Sequence, residues 1–192
     1  MEDTFILEDV RKRLILAGLK ELNDYGMRDF SLRRVALAAG VSCAAPYRHF
    51  KDKDELILSI IEYVKDGWNL LATEIMNTHG RGSHGSIVEI SVMLLRFWLG
   101  NRSVRSMLLL SSEDGSVNWR EKLNSFDEPL ILCINSFALL RGLSDEDKSI
   151  LTVTLLSLIY GSLSVISSGS ASIEDVIKNL KNKVTTEVIN FT

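Results

Sequence analysis

Proline is nearly absent: Pro46 and Pro129 are the only two in 192 residues. Both stand where a helix can begin, a position that needs no backbone N–H. Nothing therefore interrupts long helices, and an all-α chain is expected. Cysteine is equally scarce. Cys43 and Cys133 lie far apart with no Cys-x-x-Cys, which excludes a disulfide framework and makes a reducing cytoplasm the expected compartment. The chain has three histidines and lacks Gly-x-Ser-x-Gly, His-Glu-x-x-His and a phosphate-cradling glycine loop, so no catalytic residue, cofactor or enzymatic activity is expected. His79 and His84 share a glycine-rich run, but no carboxylate or thiol stands beside them at a ligand spacing, and no metal is expected. The first residues, MEDTFILEDVRKRL, lack the apolar core of a secretion signal. The most apolar stretch, Leu151 to Ile166, is interrupted by Thr152, Thr154, Ser157, Ser162 and Ser164. It is expected to fall short of a membrane span.

The net charge of −3 hides an asymmetry. Ten cations and four acids lie between Arg11 and Lys53, so that window carries +6 and the remainder −9. A basic head on an acidic body suits a protein that meets a polyanion with one end.

Within the basic window, Ser31 to Lys53 reads as two short helices about a tight turn. Ser31 can cap the first helix by accepting a free backbone N–H. Leu32, Val35, Ala36 and Ala39 recur at helical spacing and make one narrow apolar face. Gly40 suits the positive φ of a helix C-terminus. Ser42 is expected to cap the second helix, which would begin at Cys43 with Pro46 in its first turn. This is the pattern of a helix-turn-helix. Cys43, Ala44 and Ala45 keep the start of the second helix slim enough for a major groove. Tyr47, Arg48, His49, Lys51 and Lys53 supply groups able to meet phosphates. A first helix is expected from about Glu8 to Tyr25, with Val10, Leu14, Ala17 and Leu22 inward; Arg11, Lys12 and Arg13 can serve as DNA contacts or as solvated surface.

The run AGVSCAAPYRHFKDKDEL resembles the N-terminal DNA-binding domain of the TetR family of bacterial one-component regulators. The resemblance rests on Ala39-Gly40-Val41-Ser42, Tyr47-Arg48-His49-Phe50, Lys53 and Leu56, and covers roughly residues 8–60. It implies a three-helix DNA-binding head over residues 1–52 and a helical ligand-binding and dimerisation body over residues 53–192, about nine helices in all. It also implies site roles. Arg33 would meet a base edge or phosphate, Ser42, Ala44 and Ala45 the groove floor, and Tyr47, His49 and Lys53 phosphates. Cys43 and Arg48 belong to the same surface. Cys43 reads either as a small groove-facing residue or as an oxidant-sensitive thiol at a helix N-terminus.

Beyond the head, Asp52 and Glu55 have capping-box spacing, and Leu56 to Ile75 keep helical period for several turns. A glycine-rich loop follows over His79–Gly85. Helices are then expected over Ile87–Leu99 and Ser103–Leu110, a polar turn over Ser111–Ser116 and a short helix over Asn118–Leu123. Asp127 should cap a seventh helix ending near Arg141, Ser144 a long helix to about Ser167, and Ser172 the last, to about Phe191. Leu151, Leu155, Leu158, Ser162 and Val165 form a stripe expected to pair with a second copy, the last two helices (about 145–168 and 173–191) building a four-helix bundle. The resemblance implies an effector pocket in the body. Trp68, Met93, Phe97, Met107, Phe126 and Phe137 are the large apolar residues available to line it for a hydrophobic or aromatic molecule.

The function expected is a ligand-responsive regulator, most often a repressor in this family, bound as a homodimer to a palindromic duplex operator in the cytoplasm and released by a small-molecule effector. Two alternatives stay open: a DNA-binding regulator controlled by a protein partner, and a helical small-molecule-binding module that never meets DNA.

Overall fold

The computed structural model describes residues 2–109, 123 and 125–191. Every regular element among them is helical. They are α1 (Glu2–Tyr25), α2 (Leu32–Ala38), α3 (Pro46–His49), α4 (Lys53–His79), α5 (His84–Gly100), α6 (Arg102–Leu109), a 3-10 turn (Ser125–Asp127), α7 (Glu128–Arg141), α8 (Asp145–Ser167) and α9 (Ile173–Asn190). The turn and short helix expected over 111–123 lie outside the described residues, except Leu123, which is helical and buried.

The chain divides into two compact units. The first comprises Met1–Gly67 and Arg102–Asn124, the second Trp68–Asn101 and Ser125–Thr192. In the first, α1 packs against α2, α3 and α6 over a core that includes Leu14, Leu22, Val35, Leu56 and Ile60. Gly18 marks a close approach of α1 to α4: a Cβ there would stand 2.7 Å from Ile60 Cδ1. Helix α1 starts six residues before the expected Glu8, because no proline or glycine precedes Gly18 to stop it.

In the second unit α5 is central and packs against α7, α8 and α9. It begins at His84, not at Ile87, because the Ser83 side chain accepts the Ser86 N–H at 3.0 Å. A serine cap offsets the roughly 1 kcal/mol that Gly85 costs inside a helix. The glycine-rich loop thus shortens, with Gly80 and Gly82 at φ +82° and +76°. The cap of α8 forms as expected, with Ser144 and Asp147 in a reciprocal capping box, and Ser172 caps α9.

Three expectations fail here. First, Asp127 precedes α7 but makes no side-chain cap bond; its carboxylate accepts the Tyr160 hydroxyl instead. Second, the stripe assigned to a partner straddles two faces. Leu151 and Leu155 are buried inside their own unit with Ile159 and Leu163, whereas Val165 is exposed. The open face of α8 runs through Ile150, Val153, Ser157, Gly161 and Ser164. This helix is apolar on both sides, so periodicity does not say which side faces inward. Third, the apolar stretch is longer than expected: it lies in the 23-residue α8, which is long and apolar enough to cross a membrane by length and composition alone, a test that core helices of water-soluble proteins also pass.

Candidate functional site

The helix-turn-helix is built from local signals and a few long-range pins. The Ser31 hydroxyl accepts the Arg34 N–H. At the other end of α2, Gly40 takes φ +67°, and the N–H groups of Gly40 and Val41 bond Leu37 O and Ala36 O, the double closure that a left-handed glycine permits. The next helix starts later than expected. A helix capped by Ser42 would need Ser42 C=O to accept the N–H of residue 46, and Pro46 has none. Ser42 O instead accepts Ala45 N–H at 2.9 Å. Residues 42–45 form a turn, and α3 begins at Pro46 in its first position.

Several cations of the basic head are used internally. Arg13 donates to Ala39 O with Nη2 at 2.5 Å, closing the α2 C-terminus a second time. Arg11 donates to Ser59 Oγ at 3.0 Å and lies over the Phe50 ring. Arg34 donates through Nε to the buried Glu21 carboxylate at 2.8 Å and stacks on Tyr25; that pairing raises its guanidinium pKa above the ordinary value. Glu21 also accepts the Ser31 N–H. Lys53 donates to Met27 O at 3.1 Å and lies 5.5 Å from the Phe30 ring.

Against that background, Arg33 is exposed and makes no hydrogen bond or ion pair among the described residues. Ser42, Cys43, Ala44, Tyr47 and Arg48 are exposed as well, Ala45 and His49 half-buried. The surface of α2, the turn and α3 therefore presents one free guanidinium, small side chains, a phenol and a second guanidinium. Leu37 joins them: it is 78% exposed and sits one helical turn after Arg33. It lies off the narrow apolar face of α2, and no motif or spacing in the sequence marks it. Lys53, by contrast, is held against the head.

In the second unit, three of the six residues expected to line an effector site meet. Phe97 lies 5.2 Å from Trp68 and 5.6 Å from Phe126 between ring centroids. Trp98, outside the expected set, completes the cluster at 4.9 Å from Phe126 and 5.7 Å from Phe97. The Trp68 indole donates to Phe126 O at 2.8 Å. Trp68, Trp98 and Phe126 are fully buried and Phe97 is half-buried. Phe137 is buried elsewhere in this unit, under Arg141, Met93 is half-buried on α5, and Met107 is buried in the first unit. A groove of about 410 Å3 runs between α4 and α7, lined by Thr73, Met76, Pro129 and Leu132 among others.

Beside the ring cluster, the Tyr160 hydroxyl donates to Asp127 Oδ1 at 2.7 Å. Burial pushes the Asp127 carboxyl up to about 6, against the lowering effect of the Tyr160 bond. The phenol is pushed far up, first by burial and then by the adjacent carboxylate. The Trp98 indole N–H is near enough to offset a little of that rise, yet it makes no well-formed hydrogen bond and has no partner among the described residues. The only sequence signal for this cluster is an aspartate before Pro129, which reads equally well as a helix cap.

Comparison with known proteins agrees with this architecture. Residues 14–60 match the family described as "Bacterial regulatory proteins, tetR family". Among solved structures, a TetR family transcription regulator from Marinobacter aquaeolei is 18% identical, with 97% of this chain and 98% of that one covered and a TM-score of 0.65. A regulator of the TetR/AcrR family from Thermobifida fusca is 19% identical, covering 91% and 96%, at 0.69. FadR from Bacillus subtilis, solved with stearoyl-CoA, is 13% identical, covering 94% and 98%, at 0.68. At these identities the structural likeness speaks for the fold.

Proposed function

We propose that this chain is a transcriptional regulator of the TetR family, a repressor that binds a palindromic operator as a homodimer and leaves it when a small hydrophobic or aromatic effector enters the body; the match of residues 14–60 to the family and the shared fold support this. The reading keeps residues 1–52 as the DNA-binding head and 53–192 as the effector and dimerisation body. The observation that carries it is the division of labour among the head's cations. Arg11, Arg13 and Arg34 are spent on internal bonds, whereas Arg33 and Arg48 stay exposed beside Tyr47 and the small residues of the turn. A surface that leaves guanidinium groups free next to slim side chains is built to approach a duplex.

The dimer reading is supported by α8. Its buried line of Leu151, Leu155, Ile159 and Leu163 serves its own unit, while Ile150 and Val153 stand open to solvent. A Cβ on Gly161 would meet nothing within 4 Å, so a partner backbone has room to come close. Two heads from two copies would read half-sites about one helical turn, or a multiple, apart. Helix α4 contributes residues to both units and is the transmitting element in this reading. The effector must bind the released conformation more tightly, or it shifts nothing.

The test is footprinting on the DNA around the chain's own reading frame, followed by titration of the protected duplex at several salt concentrations. Log affinity should fall with log salt by about 0.9 per phosphate contact. Equal binding to a scrambled duplex would remove the reading.

A further inference from the structure

Resting on the effector reading above, we infer that the effector of this regulator is an organic cation, an ammonium group lodged between the Asp127 carboxylate and the ring faces of Trp68, Phe97, Trp98 and Phe126.

Charge is the first consideration. Asp127 is nine-tenths buried, and Tyr160, a neutral donor, is its one partner among the described residues. None of the ion pairs among those residues reaches it. A buried carboxylate is ordinarily paired with a cation or left protonated, because desolvating the bare charge is costly. Among the described residues no cation pairs with it, and its chain neighbour Phe126 belongs to a set of four aromatic rings whose contacting pairs are 4.9–5.7 Å apart. Ring faces carry the negative end of the aromatic quadrupole and attract a desolvated cation. The acid and the rings therefore favour the same ligand.

The geometry also supplies a way in. Phe97 touches all three other rings and is the one of the four that is not fully buried. Its rotation would admit a ligand with the least repacking. The Trp98 N–H, without a partner among the described residues, could then serve a hydroxyl or carbonyl oxygen on the same molecule. An acyl chain alone would leave the acid as it is, uncompensated.

The experiment uses the full chain in its native oligomer and a matched pair of probes, benzyltrimethylammonium and neopentylbenzene, which share a shape and differ in charge. Isothermal calorimetry and tryptophan fluorescence at about pH 7.5 should show the cation binding about tenfold tighter or more than its neutral twin. Asp127→Asn should erase that preference, and Tyr160→Phe, which keeps the carboxylate, should retain it. Should Asp127→Asn fold poorly, the wild type alone decides: lowering the pH to about 5 should weaken the cation about tenfold as the carboxyl protonates, and leave the neutral probe unchanged. Equal affinity for the two probes overturns the inference and leaves the effector reading standing. Cation binding that is indifferent to both Asp127→Asn and pH overturns it too. No binding of either probe overturns it and withdraws support from this cluster as an effector site.

Discussion

At the scale of single residues, the head turns on two adjacent arginines with opposite jobs. Arg34 reaches back to Glu21 and Tyr25, and Arg33 has no polar partner among the described residues. Arg33→Ala should therefore leave thermal stability unchanged and weaken operator binding by about 1–3 kcal/mol, read by fluorescence anisotropy. Arg34→Ala should do the reverse in the first instance. It leaves the Glu21 carboxylate buried with one backbone donor and should cost about 1–3 kcal/mol of stability, visible as a lower urea midpoint. Asp127 makes a third prediction at this scale. Its folded pKa of about 6 lies above the ordinary 3.8, so the folded state binds the proton more tightly than the unfolded state does. The stability from this group is fully present below about pH 4 and is lost as pH rises through about 6, a swing of about 3 kcal/mol. Asp127→Asn, which keeps an acceptor for Tyr160, should flatten that part of the stability profile and raise the neutral-pH melting temperature.

At the scale of elements, caps and glycines are legible in the chain itself. Ser31, Gly40, Ser83, Ser144 and Ser172 end or begin helices through bonds to neighbours three to five residues away, and such signals are written in the local sequence. Gly82 is not legible in that way. It holds φ +76°, and a Cβ there would stand 2.8 Å from Phe137 N and Ser136 C, backbone atoms that cannot swing aside. The contact joins segments more than fifty positions apart. Gly82→Ala should cost at least about 2 kcal/mol and lower the melting temperature followed by circular dichroism by roughly 4–8 °C. Pro46 is half legible. Its compatibility with a first helical turn is plain from its residue type, but the bond it forbids is the one that would have nucleated a helix at Cys43.

At the scale of the whole molecule, α8 carries the decisive question of which face is whose. Val153 is 62% exposed in the single chain, so Val153→Glu has no core to disturb. It should leave helix content intact, shift sedimentation from dimer to monomer, and weaken operator binding in step with the lost second head. A variant that stays dimeric with full affinity would move the interface elsewhere. The charge asymmetry belongs to this scale as well: residues 11–53 carry +6 and the remainder −9, so the proposed operator should be drawn to the basic segment and repelled by the acidic remainder.

What the sequence determined by itself was what depends on near neighbours: an all-helical chain, most helix ends, the helix-turn-helix and its likeness to the TetR family. Local caps and one glycine with positive φ act within a turn of chain, so no folding is needed to read them. Tertiary structure alone decided which arginine is spent and which is free, which side of α8 is buried, and that Asp127 answers Tyr160 rather than its own helix. Each of those outcomes is a competition between a local partner and a distant one, and the distant partner exists only once the helices have packed.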